Sequence, residues 1–177
     1  MKKLMTMIGA AAVAVGVNAD TYGPDASGQT WTYTDNGTTI TLTAVADKTI
    51  VVDAANIPWT IAGKSVAEVG EKIFDGYANL IGTLTIPDSV KTIGVAAFRN
   101  CTGLTAIASW GGVTQWGTAA FRGCNNMSGT FPDLSNATSL GEAMLTNVPL
   151  PGELKLGSLL TSFTKLTFEY CFSAALR

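Results

Sequence analysis

Two different periodicities of apolar residues follow one another along the chain. Over residues 30–43, TWTYTDNGTTITLT alternates apolar and polar side chains on either side of Asp35-Asn36-Gly37. Asn-Gly supplies the positive φ angles of a tight turn, so this run predicts a β-hairpin, with Trp31 and Tyr33 on one face and Ile40 and Leu42 on the matching one. A further short strand is predicted over Thr49, Ile50, Val51 and Val52. Beyond about residue 57 the period of two gives way to a repeat of 23 or 24 residues. Phe74, Phe98, Phe121, Leu145 and Phe168 share one column, at steps of 24, 23, 24 and 23 residues.

Other columns keep the same steps. Gly70, Gly94, Gly117 and Gly141 form a glycine column that fails only at Thr164, and Val69, Ile93, Trp116, Leu140 and Phe163 precede it. Three positions after the phenylalanine column stand Tyr77, Cys101, Cys124, Val148 and Cys171, so all 3 cysteines of the chain occupy one structural position. Upstream lie Val66, Val90, Val113, Ala137 and Leu160, and six residues earlier Thr60, Leu84, Ile107, Phe131 and Leu154. Stacked coils require this agreement, because each coil buries the same positions against its neighbours. Within one unit, Leu84-Thr85-Ile86 alternates as a strand and Pro87 ends it by removing a donor. Val90 and Ile93 return apolar side chains to the interior. Gly94 permits a tight bend or a close backbone approach, and Ala97, Phe98 and Cys101 have the spacing of a helical turn facing inward.

The first residues add a compartment. Lys2 and Lys3 precede an apolar run over residues 4–17, and Val17-Asn18-Ala19 places short side chains before a cut at Ala19/Asp20, the three-part pattern of a secretory signal peptide. The alternative, a membrane-spanning helix, is disfavoured because the run is shorter than the roughly 20 residues a bilayer requires. Cleavage leaves 9 basic against 13 acidic side chains and no transmembrane anchor. Without a clustered basic face, nucleic acid is not an expected partner. The expected organisation is a signal peptide over 1–19, an N-terminal β segment acting as a cap over 20–56, and about five repeats over 57–177.

An odd number of cysteines in an oxidising compartment raises the question of reactivity. Their column also accepts Tyr77 and Val148, which favours buried free thiols. A Cys101–Cys124 bond between adjacent coils and a catalytic thiol are the alternatives, the latter weakened because the chain has no histidine. The same absence weighs against metal centres and general acid–base sites, and no phosphate-cradling loop, nucleophile elbow or calcium loop is present. No enzyme activity, cofactor or metal is therefore expected. Among residues outside the interior columns, Trp59 and Trp110 are candidate binding residues, because a flat ring gives contact area to a protein or sugar at small entropic cost. The bland reading of both is packing, with Trp110 aligned to Pro87 just past the strand.

Residues 84–104, LTIPDSVKTIGVAAFRNCTGL, resemble the BspA-type leucine-rich repeat, whose unit runs as a short strand, Ile-Pro, Val, Ile-Gly, Ala-Phe, Cys and Leu. The resemblance extends from about residue 58 to the C-terminus and is close in the second and third units. The fourth, TFPDLSNATSLGEAMLTNVPL, lacks the Phe and Cys. It implies a leucine-rich solenoid, mainly β with short helical turns, in a surface or secreted protein associated with adhesion to host proteins or other cells. The function expected is thus an exported interaction module for a protein or glycan on another cell or matrix. A spacer, or part of a longer array without a ligand of its own, is the alternative, and a carbohydrate-active enzyme a remote one. The chain stops at Ala174-Ala175-Leu176-Arg177 without a polar capping unit, an end that would invite self-association.

Overall fold

The computed structural model of the protein describes residues 19–150, 153 and 155–158. The apolar run over residues 4–17, the fifth-unit positions Leu154, Leu160, Phe163, Thr164, Phe168 and Cys171, and the C-terminal Ala174, Ala175, Leu176 and Arg177 lie outside those residues.

β1 (Ala19–Tyr22), β2 (Trp31–Asp35) and β3 (Thr39–Val45) form an antiparallel meander. Between β2 and β3 the chain turns at Gly37, with φ of 90°, and the Asp35 carboxylate accepts from Gly37 N–H at 2.8 Å. A bulge sets Tyr33 opposite Leu42 and Thr32 opposite Ala44, leaving Thr43 unpaired. Trp31, Ile40 and Leu42 are fully buried. Of the strand predicted over residues 49–52 only Val52 is extended, in β4 (Val52–Asp53). The Asp47 carboxylate captures both the N–H and the hydroxyl of Thr49, which closes a local turn there instead.

β5 (Thr60–Ile61) and β6 (Lys64–Val69) make a second hairpin across Ala62 and Gly63, both with positive φ. Thr60 is therefore exposed in an antiparallel pair, and not in the strand column of Leu84 where the repeat alignment put it. The chain continues through β7 (Leu80–Ile86), β8 (Thr92–Ile93), β9 (Leu104–Trp110), β10 (Gln115–Trp116), β11 (Asp133–Leu134), β12 (Ser139–Leu140) and β13 (Lys155–Leu156). On one side of the solenoid β3, β6, β8, β10 and β12 pair in parallel, so the second strand of the N-terminal hairpin is also the first rung of the stack. On another, β4, β7 and β9 pair in parallel, and β11 pairs with β13. The result is a mainly β repeat solenoid with an N-terminal hairpin cap, and among the described residues no helix is long and apolar enough to cross a membrane.

The segment carrying the phenylalanine and cysteine columns is a chain of turns, where the apolar spacing suggested a helical turn. Lys72, Ala96, Ala119 and Ala143 have φ between 52° and 56°, and four residues further on Gly76, Asn100, Gly123 and Asn147 are again left-handed. Alternate amides make short local bonds, such as Ala97 N–H to Gly94 O and Cys101 N–H to Phe98 O. The others cross to the following coil: Ala96, Phe98 and Asn100 donate to Thr118, Ala120 and Arg122 carbonyls, each at 2.8 Å. A continuous helix would turn all these amides inward on itself and leave the coils without a backbone link.

Side-chain stacking follows the same columns. Phe74, Phe98 and Phe121 lie nearly parallel with ring centroids 4.8 Å apart, the spacing of the strands themselves, and Trp31 of the cap meets Phe74 edge-on at 6.0 Å. Cys101 and Cys124 are free, buried thiols whose Sγ donate to Phe74 O and Phe98 O, each at 3.0 Å. Burial, with the neighbouring Cys124 adding to it, pushes the Cys101 thiol well up. At the capped end Tyr77 takes the cysteine position and reaches out of the coil, donating to Ile50 O at 2.8 Å and accepting from Gln29 Nε2 at 2.9 Å. Outside, Arg99 makes a two-pronged ion pair with Asp75 one coil earlier, and the guanidinium holds that carboxyl below its usual range.

The cysteine column yields a direct stability test. Cys101→Ala removes both bulk and the Sγ bond and is expected to cost about 1–2 kcal/mol, of which Cys101→Val restores about half by refilling the site. Urea denaturation measures both, and two variants as stable as the parent would refute the packing role.

Candidate functional site

The regular stack opens between the third and fourth units. β9 carries two extra residues relative to β7, with Thr105 and Ala108 left out of the register, so that Trp110 pairs with Ile86. Trp110 is therefore the last residue of the strand, one position earlier than the alignment with Pro87 implied. After it Gly111 turns at φ of 60°, pressed so closely on the preceding coil that a Cβ would fall 2.3 Å from Pro87 O. In the fourth unit Ser128 bridges Ala106. Gly129 then takes φ of 144°, and Pro132 has no N–H to offer a ladder. On this face no described strand of the fourth unit pairs with β9 beyond that bridge.

The cleft so formed has a volume of about 520 Å³ and is lined by Trp110, Trp116, Phe131, Asp133, Glu153 and Lys155 among others. Trp110 is half-buried. Its Nε1 donates to Thr130 O at 2.8 Å, and its ring stands edge-on to Trp116 at 5.6 Å and to Phe121 at 5.1 Å. Trp116 is only 3% exposed, and its Nε1 is buried with no acceptor among the described residues. Such a donor costs about 1–3 kcal/mol when left unpaired. On the rim, the Asp133 carboxylate accepts from both the hydroxyl and the N–H of Ser135, which, with the charge of Lys155, holds it below its usual range and therefore ionised.

Trp59 belongs elsewhere: it packs half-buried against the core at the entry to β5, its carbonyl accepting from Val66 N–H, and it does not line the cleft. The structure does not bring the two candidate tryptophans together. The repeat pattern places Trp116 and Phe131 in interior columns and gives Asp133 no distinct position. The available signal was an indole in a column that holds Val69, Ile93, Leu140 and Phe163 in the other units. Among the described residues no group of three or more His, Cys, Asp or Glu side chains is placed to hold a metal ion.

The sequence pattern described as the BspA type leucine rich repeat region matches residues 54–175 in 6 copies. No curated protein matches the chain. Similar solved structures include a leucine rich cell surface protein from Faecalibacterium prausnitzii A2-165, 20% identical with a TM-score of 0.54, and a leucine rich repeat protein of T. pallidum, 26% identical with a TM-score of 0.50. Each similarity covers 80% of this chain, which spans 44% of the first protein and 64% of the second.

Proposed function

The chain belongs to the BspA-type leucine-rich-repeat family, and on that premise we propose that it is an exported interaction module, released from or displayed on a cell surface, that binds a macromolecule of another cell or of the matrix. The observation that carries the reading is the cleft beside β9, where the rings of Trp110, Trp116 and Phe131 are gathered. Beside it the outer face of β7 and β9 presents Thr83, Thr85, Thr105 and Ala108, an exposed and uncharged strip suited to lying against a partner. The signal pattern of residues 1–19 supports export. A cut before Asp20 leaves Asp20, Thr21 and Tyr22 paired with Tyr33, Thr32 and Trp31, so the mature chain keeps its first strand. The likeness to a leucine rich cell surface protein agrees with that location.

The test applies the purified, labelled protein to immobilised matrix proteins and to intact host and bacterial cells. Saturable binding to at least one of these is the expected result. Uptake that rises linearly on every surface would overturn the reading in favour of a spacer without a ligand.

A further inference from the structure

We propose that the open edge of β9 at this cleft takes up a short extended peptide segment of a partner protein, which pairs as an added strand with Ala108, Ser109 and Trp110. The proposal rests on the reading of the protein as an interaction module and names the kind of partner its site takes. β9 is the outermost strand of the sheet β4-β7-β9. One edge pairs with β7 through to Trp110, which stands opposite Ile86. The other edge is covered only at its start, where Ile107 N–H donates to Ser128 O at 2.9 Å and Thr105 O accepts from Ser128 N–H at 3.0 Å. Asp133 and Leu134 stand 24 residues after Ser109 and Trp110, the position from which a regular next coil would cover the rest. They form β11, which pairs onward with β13 and not back with β9. Among the described residues the end of β9 therefore has a strand on one side only, and Ala108, Ser109 and Trp110 line the cleft. An uncovered strand edge is a row of backbone donors and acceptors that a further strand can complete.

The walls fix the chemistry of that strand. The Trp110 Nε1 bond to Thr130 O at 2.8 Å ties β9 to the facing wall, so the cleft is formed in advance and little ordering is needed on binding. Successive side chains of a strand point to opposite sides. One set meets the rings of Trp110 and Phe131, which suit an apolar residue. The alternate set meets the rim, where Asp133 and Glu153 outnumber Lys155 and suit lysine or arginine. A sugar offers no repeating N–H and C=O groups to match the strand edge, and an apolar molecule offers none at all. The volume of about 520 Å³ lies within the range of ligand sites, roughly 300–1,000 Å³.

Six acetylated and amidated pentapeptides of the form Thr-Lys-Xaa-Lys-Thr, with Val, Ile, Leu, Phe, Tyr or Trp at the centre, test the site when titrated into the full chain and followed by calorimetry. At least one is expected to bind saturably, and its counterpart with Glu in place of Lys more weakly. N-methylation of its backbone amides one at a time is expected to weaken binding about tenfold at alternate positions and little between them, the pattern of a strand that donates from one edge. Hydrogen exchange is expected to slow at amides within residues 108–110 and not in β3 or β6. Glu153→Lys, an exposed rim substitution that leaves the interior intact, is expected to weaken binding roughly threefold. Failure of all six peptides, binding that survives every N-methylation, or protection confined to other strands overturns the proposal. If no peptide binds while the labelled protein still binds cells saturably, the strand site falls and the interaction reading stands. If neither peptides nor surfaces bind it, both fall.

Discussion

Gly117→Val is expected to prevent the second and third units from stacking, with a loss of about 4–5 kcal/mol, enough to unfold a domain of ordinary stability. The glycine column has a reason that lies in neither turn nor φ. A Cβ on Gly94 would fall 2.7 Å from the carbonyl carbon of Gly70, one on Gly117 2.4 Å from that of Gly94, and one on Gly141 2.2 Å from that of Gly117. The obstacle in each case is backbone, which has no rotamer to change, so even Gly117→Ala is expected to cost about 3 kcal/mol by overpacking. The cap obeys the same constraint, since a Cβ on Gly70 would meet Leu42 O at 2.6 Å. Gly112→Ala is the instructive control. Its nearest neighbour is the flexible Lys91 ammonium at 2.4 Å, with Asp88 O next at 2.6 Å. Part of that crowding moves aside, so a smaller loss is expected. Urea titration of the three variants ranks them, and Gly117→Ala within about 0.5 kcal/mol of the parent would sink the account.

Phe98→Ala is expected to cost about 3–5 kcal/mol. Phe98 is the middle ring of three, fully buried, and stacked at 4.8 Å on both Phe74 and Phe121. Its removal leaves a cavity that two flanking coils, held by backbone bonds above and below, are poorly able to close. Phe98→Leu should recover more than half of the loss, because the same column already accepts Leu145, also fully buried. Thermal or urea unfolding checks both. Equal destabilisation by alanine and leucine would show that ring stacking, and not volume, carries the contribution.

Stacking is also why so much of the architecture was legible. A residue buried between two copies of itself is constrained twice, so Phe98, Cys101 and Ile93 recur with little change, and the solenoid follows from their spacing. The turn geometry was only half visible. Gly76, Asn100, Gly123 and Asn147 are residue types that tolerate a left-handed backbone, but their companions Lys72, Ala96, Ala119 and Ala143 are not. Lys72, Ala96 and Ala119 adopt it because the amide of each finds a carbonyl in the next coil, a bond that no single unit reveals. The first unit misled for a local reason: Ala62-Gly63 folds Thr60 back into a hairpin, at a position where other units run straight. The cleft was hidden for the opposite reason, since it is a mismatch between two units, β9 with its extra residues and a fourth unit with Pro132, and each unit read singly is unremarkable.

The crossing bonds of the turn chain all point one way. Lys72, Phe74 and Gly76 donate to Val95, Ala97 and Arg99, and Ala119, Phe121 and Gly123 to Glu142, Met144 and Thr146, repeating the direction set by Ala96, Phe98 and Asn100. At the other extreme the carbonyls of Lys72 and Asp75 are covered by the Lys48 ammonium of the cap. The array thus has a finished end and a growing end. A chain that emerges N-terminus first during synthesis would complete the cap first, and each later coil would arrive at a row of amides waiting for its carbonyls. Assembly in that order closes the array as a zipper from its N-terminal cap onward, in the direction in which a chain is made.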